Sequence, residues 1–160
     1  QVFKNCKGLP EIHGHPDADN ALFDLVGKTV RETMPAAFEE LALNQAVEAW
    51  MQAVFACNAY IDEQAPWALK KTDTQRMETV LATLYICIAE LAVGILPVIP
   101  VSANTLLDRM GVDPALRTPE GIASHWYSPL ADPKDVSAPF RLEQPTALFP
   151  RLELKATEEA

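Results

Sequence analysis

One hundred and sixty residues, 49% hydrophobic and 22% charged, fit one soluble globular domain with its own core and exclude wholesale disorder. The formal charge is −9, and the acidic excess holds in both halves: 7 basic against 12 acidic residues up to position 80, then 6 against 10. Polyanion binding through bulk positive charge is thereby excluded, so any contact with nucleic acid must be local.

The most apolar stretch, residues 80–101, contains Glu90, Gly94 and two prolines, so no membrane span is expected. The opening Gln1-Val2-Phe3-Lys4-Asn5 lacks the pattern of a secretory signal. It also lacks an initiator Met, and the chain is expected to be part of a longer polypeptide. Cys6, Cys57 and Cys87 form no close-spaced pair. Cys57 and Cys87 sit in apolar helical patterns and read as buried, reduced thiols of a cytoplasmic protein.

Residues 17–33 form the first predicted helix, with Asp17 or Asp19 as cap and Leu22, Leu25, Val26 and Val30 recurring at helical spacing. Pro35 suits the first turn of a short segment, Pro35 to Leu41. A longer helix is predicted over 44–64, with Ala46, Val47, Trp50, Val54, Cys57, Asn58 and Ile61 on one face. Pro66 ends it. The next helix runs over 74–95, capped by Asp73, with Met77, Val80, Leu81, Leu84, Ile88, Leu91 and Ile95 as its apolar stripe. Pro97 and Pro100 force a break. Ser102 is the expected cap of a helix bearing Leu106, Leu107 and Met110, stopped by Gly111.

No run alternates with period two, so the expected class is all-α: a helical bundle over residues 1–112. Nine of the thirteen prolines fall in residues 97–160. Residues 113–160 therefore read as a Pro-rich C-terminal extension packing on the bundle, with an extended piece at Ala147-Leu148-Phe149.

Catalytic machinery is hard to find. His13-Gly14-His15-Pro16-Asp17, with Asp19, invites a metal reading, yet two histidines without a second cluster are better explained as a polar turn leading into a capped helix. His125, beside Trp126 and Tyr127, reads as a surface or interface aromatic. There is no nucleophile elbow, no phosphate-cradling glycine loop and no catalytic Cys/His spacing. The acid pairs Glu39-Glu40 and Asp62-Glu63 read as solvated surface.

One segment stands apart, running from Asn58 through Tyr60-Ile61-Asp62-Glu63 and Pro66-Trp67 to Lys70 and Lys71. A helix ends at a proline, an indole follows at the tip, and two lysines lie just beyond. An indole face can stack on an unpaired base, and the lysines supply positive charge where the rest of the chain repels phosphate. The competing reading is that Trp67 merely packs on the turn, and on physics alone that reading is favoured.

The segment resembles the anticodon-binding domain of methionyl-tRNA synthetases, whose Asn-x-Tyr-Ile-Asp-Glu-x-x-Pro-Trp-x-Leu-x-Lys pattern is matched by Asn58, Tyr60, Ile61, Asp62, Glu63, Pro66, Trp67, Leu69 and Lys71. The similarity continues through Leu96-Pro97-Val98-Ile99-Pro100, Met110-Gly111 and Leu148-Phe149-Pro150-Arg151-Leu152-Glu153, and is also seen at Lys4-Asn5-Cys6-Lys7-Gly8. The resemblance implies a bundle of the class I synthetase anticodon-binding type that reads the CAU anticodon in the anticodon loop of methionine tRNA. In that family the Trp of the Pro-Trp pair contacts the anticodon, which implies Trp67; with Lys70 and Lys71 beside it and Asn58 in the matched motif, these are the expected nucleic-acid-binding residues. The resemblance further implies a parent ligase that joins methionine to its tRNA, uses ATP and Mg, and carries its catalytic domain upstream in the same polypeptide.

The family's His-Ile-Gly-His and Lys-Met-Ser-Lys-Ser signatures and its zinc knuckle do not occur in this chain. This segment is expected to need no cofactor of its own. The Asn and Arg that share anticodon recognition fall before the point matching Gln1, so an incomplete recognition surface is expected. The alternatives are the equivalent domain of another class I synthetase and a free-standing helical module binding RNA, or docking a protein through Trp67, Trp126 and Tyr127.

Overall fold

The computed structural model describes residues 12–13, 16–126 and 148. Among them every regular element is helical. Helix α1, Asp17–Lys28, opens on Pro16 with no side-chain cap. Asp19 is not a cap, contrary to the sequence reading. It is fully buried, because Arg76 draws its carboxylate inward. Leu22, Val26 and Val30 are buried as expected, but Phe23 takes the inward place expected of Leu25, which is exposed.

The chain does not break before Pro35. A π turn, Thr29–Thr33, leads directly into α2, Met34–Glu39. Pro35 has no N–H to offer the carbonyl four residues back. The ladder widens at that point, with the Met34 N–H donating to the Thr29 carbonyl. Arg31, within the π turn, reaches the buried carboxylate of Glu90 at 3.2 Å.

Helix α3, Leu43–Gln64, has Ala46, Ala53, Cys57 and Tyr60 as its buried residues. Val47, Val54 and Ile61 lie only half-buried on its flank, and Asn58 is exposed. After Ala65 comes a helix the sequence did not announce, α4, Pro66–Thr72. Helix α5, Thr74–Gly94, starts as expected at Asp73, whose side chain accepts from the Arg76 N–H at 2.9 Å.

Helix α6 spans Pro100–Met110. It begins two residues before Ser102, because Pro100 fits the first helical turn. Gly111 ends it in the left-handed conformation, φ 72°. A 3-10 turn, Pro114–Leu116, leads to α7, Pro119–Trp126.

Helix α5 is the axis of the molecule. It packs against α1, α3, α4, α6, α7 and the π turn, and 16 of its 21 residues are buried. The predicted stripe is buried at Met77, Val80, Leu81, Leu84, Leu91 and Ile95, but Tyr85, Cys87, Ala89 and Ala92 are buried as well, and Ile88 is 40% exposed. By length and composition α5 is apolar enough to cross a membrane, but its hydrophobic window is buried inside the bundle. Its environment is that of a core helix.

Two apolar clusters flank it. One joins Leu22, Phe23, Val26 and Val30 to Ala53, Cys57 and Tyr60 and to Val80, Leu84, Cys87 and Leu91. The other joins Tyr85, Ala89 and Val93 to Leu107, Met110 and Ile122. At Gly94 a Cβ would sit 3.1 Å from Val30 and 3.2 Å from Met34, so the missing side chain lets the π turn and α2 approach closely. Trp50 is tied into the bundle by an indole N–H donated to the Leu91 carbonyl at 2.8 Å. Cys57 and Cys87 are both buried. The neighbouring Cys57, and then burial, push the Cys87 thiol well above its ordinary pKa.

Candidate nucleic-acid interface

The candidate interface is the end of the bundle where α3 turns through α4 into α5. Ala65 makes the turn in the left-handed conformation, φ 42° and ψ 59°, which L-residues adopt only at an energetic cost. The break is local chemistry: Pro66 lacks an N–H and disfavours a right-handed helical residue before it. The Ala65 N–H still closes α3 on the Ile61 carbonyl, and the Ala65 carbonyl accepts from Ala68, opening α4.

Helix α4 has a clear inside and outside. Pro66 is buried, and Leu69 is partly buried against the cluster that contains Tyr60 and Leu84. Trp67 is 53% exposed. Lys70 and Lys71 are exposed and lie three and four residues after Trp67, so the indole and both ammonium groups share one helical face. The lysines also occupy the last turn, where positive charge is favoured by the helix dipole. The structure therefore brings Trp67, Lys70 and Lys71 together.

Asn58 is placed differently. It is exposed on α3 nearly two turns before the tip, at the edge of an apolar cavity of about 370 Å³ that Trp50, Val54, Ile61, Leu84 and Leu106 also line. Asp62 and Glu63 are exposed on the last turn of α3.

Beneath the tip lies a polar network that sequence reasoning missed. The Arg76 guanidinium donates to both oxygens of Asp19, at 2.6 and 2.7 Å, and to Gln64 Oε1 at 2.7 Å. The Tyr60 hydroxyl donates to Asp19 Oδ1 at 2.7 Å. A guanidinium and a phenol thus meet around one fully buried carboxylate and the carboxamide that ends α3. The bond to Asp19 raises the Arg76 pKa and keeps the guanidinium charged. Burial, and then the hydrogen bond to Asp19, push the Tyr60 phenol above its ordinary pKa of 10, so it remains a donor. Asp19 and Arg76 are 57 positions apart. No local pattern links them, although Tyr60 lies inside the Asn-x-Tyr-Ile motif.

The first histidine motif takes part in packing. The His13 backbone N–H donates to Thr79 Oγ1 at 2.9 Å, and its Nε2 lies 3.2 Å from Glu78 Oε2. Asp19 is committed to Arg76, and His15 lies outside the described residues. Among the described residues no group of three or more His, Cys, Asp or Glu is arranged to hold a metal ion. The opening 1–11 and residues 127–147 and 149–160 of the expected C-terminal extension also lie outside them, as do the side chains of His125 and Trp126.

Comparison with known proteins covers nearly the whole chain. Residues 9–152 match the family described as the anticodon binding domain of methionyl tRNA ligase. A methionine–tRNA ligase of Brucella suis is 36% identical over 151 residues, covering 94% of this chain and 27% of the relative. One from Thermobifida fusca is 34% identical over 108 residues, covering 68% of this chain and 18% of the relative. The crystal structure of apo Mycobacterium tuberculosis methionyl-tRNA synthetase superposes with a TM-score of 0.76 at 28% identity, covering 96% of this chain and 30% of that one. Its complex with methionyl-adenylate gives a TM-score of 0.78 at 28% identity, covering 94% and 28%. The chain thus spans about a quarter of the length of the Brucella relative. Family match, sequence identity and shared fold agree: the chain belongs to the anticodon-binding domain family of methionyl-tRNA ligases.

Proposed function

We propose that this domain reads the CAU anticodon of methionine tRNA, with Trp67 stacking on an unpaired base of the anticodon loop. Lys70 and Lys71 lie beside the loop phosphates, and the Asn58 amide provides a hydrogen-bonding edge on the adjoining helix. The observation that carries the reading is the half-exposed indole of Trp67, set on the same helical face as two lysines in an otherwise acidic chain. Stacking of one base is worth about 1–3 kcal/mol and needs no net positive field. Phosphate contacts set register, and the two lysines suit that supporting role.

The domain acts within a longer cytoplasmic polypeptide whose catalytic portion lies upstream and joins methionine to tRNA. ATP and Mg serve that portion, and the residues of this domain take no part in activating methionine. Trp67→Ala in the complete polypeptide is expected to lower kcat/KM for charging methionine tRNA by about tenfold to a hundredfold, the equivalent of one stacked base. Methionine-dependent exchange of pyrophosphate into ATP should stay at the parent level. Equal charging by variant and parent would remove Trp67 from the recognition surface.

A further inference from the structure

We propose that Arg76, acting through Gln64, is a positioning residue for Trp67: anchored on buried Asp19, its guanidinium holds the carboxamide at the end of α3 and so sets the turn that aims the indole. This inference rests on the proposed role of Trp67 in anticodon recognition.

The residues from Gln64 to Asp73 form an excursion between α3 and α5 that packs on α5 and carries Trp67, Lys70 and Lys71. Helix α4 has seven residues, too few to be stable or to fix its own direction. Its apolar anchors are Pro66 and Leu69, and such packing is not directional. The ends of the excursion add direction to that packing, and Arg76 holds both. Its backbone N–H binds the Asp73 side chain where α5 begins, and its guanidinium binds Gln64 where α3 ends.

The Gln64 contact is placed where it has most leverage. The next residue, Ala65, is in the left-handed region, and an alanine stays there only when its surroundings over-determine it. Rotation about Ala65 would swing α4 and carry Trp67 with it. A charged donor makes the stronger kind of hydrogen bond, and this donor cannot drift, since Asp19 holds the guanidinium through both oxygens. Tyr60 fixes Asp19 in turn. A pair serving stability alone would be complete with Arg76 and Asp19; the third bond, to Gln64, ties that pair to the tip.

The test uses the complete polypeptide with Gln64→Leu, which removes the acceptor and leaves Arg76, Asp19 and Tyr60 in place, and Gln64→Glu, which keeps an acceptor. Each is made with Trp67 present and in a Trp67→Ala background. The readouts are KM and kcat for methionine tRNA and methionine-dependent pyrophosphate exchange. Gln64→Leu is expected to raise KM for tRNA about tenfold, the scale of one hydrogen bond to a charged group, with exchange unchanged. Gln64→Glu is expected to stay within about twofold of the parent. In the Trp67→Ala background Gln64→Leu should add nothing, because the group it aims is gone.

An unchanged KM in Gln64→Leu, with a raised KM in Trp67→Ala, would overturn the positioning role and leave Trp67 in recognition. An equal further rise in the Trp67→Ala background would also overturn it, since Gln64 would then act by another route. Loss of exchange together with tRNA charging would show general unfolding and would count against it too. If Trp67→Ala alone left KM and kcat unchanged, the proposed function would fall and this inference with it.

Discussion

The middle of α5 and the tip around Trp67 are held by different physics. The middle is surrounded mainly by apolar side chains from α1, α3, α6 and α7, with Val80, Cys87, Ala89 and Val93 almost fully enclosed and one buried carboxylate, Glu90, paired with Arg31. The tip is held by a fully buried carboxylate, a guanidinium, a phenol and a carboxamide. Burial of apolar surface is strong but nearly indifferent to angle. Hydrogen bonds are weaker in net terms and strict about direction. The bundle thus combines a largely apolar axis with a polar, direction-sensitive end.

The largest expected effect comes from the polar end. Asp19→Ala leaves a guanidinium and a phenol partly buried without their acceptor, and should lower unfolding free energy by about 3–5 kcal/mol. It should also raise KM for tRNA in the protein that remains folded. Leu84→Ala should lower stability by about 2–5 kcal/mol, the usual range for a core truncation, while leaving that KM near the parent value. Denaturant titration and charging kinetics on the same samples separate the two. If Leu84→Ala shifted KM as much as Asp19→Ala did, the division between axis and tip would be wrong.

The smallest effect concerns alkaline pH. Tyr60 has its pKa raised above 10 in the folded chain, chiefly by burial and then by Asp19. The folded state therefore keeps a proton that the unfolded chain releases from about pH 10 upward. The stabilising contribution is full below pH 10 and is lost as the pH climbs beyond it. Tyr60→Phe should flatten the fall in denaturation midpoint between about pH 10 and 12. An alkaline limb of the same steepness in both proteins would mean that the Tyr60 hydroxyl is not held as described.

What was legible in the sequence follows from how far each signal reaches. Pro66, Asp73 and Gly111 act on their own neighbours, and each marks a helix boundary in the structure. The all-helical class was equally plain from spacing, because three- and four-residue periodicity is a local property. The stripe on α5 misled because periodicity assumes one wet face, and this helix is enclosed on nearly all sides. Helix α4 was missed because Pro66 was read as a stop when it also suits a start. Ser102 was read as a cap although Pro100, two residues earlier, opens the helix.

The candidate site divides the same way. Trp67, Lys70 and Lys71 lie within five residues and could be seen as a group. The Asp19–Arg76–Gln64 network joins α1, α5 and α3, and tertiary structure alone reveals it. Asp19 in particular looked like a cap because it stands where caps stand.

The central claim is that Trp67 reads the anticodon. The most direct measurement is kcat/KM for charging two methionine tRNAs, one with CAU and one with a single changed anticodon base, by the complete polypeptide and its Trp67→Ala variant. Loss of Trp67 is expected to lower kcat/KM for the CAU tRNA by about tenfold or more and for the changed tRNA by a similar factor, because stacking on an indole tolerates base identity. Charging of both tRNAs by the variant at the parent rate would contradict the claim.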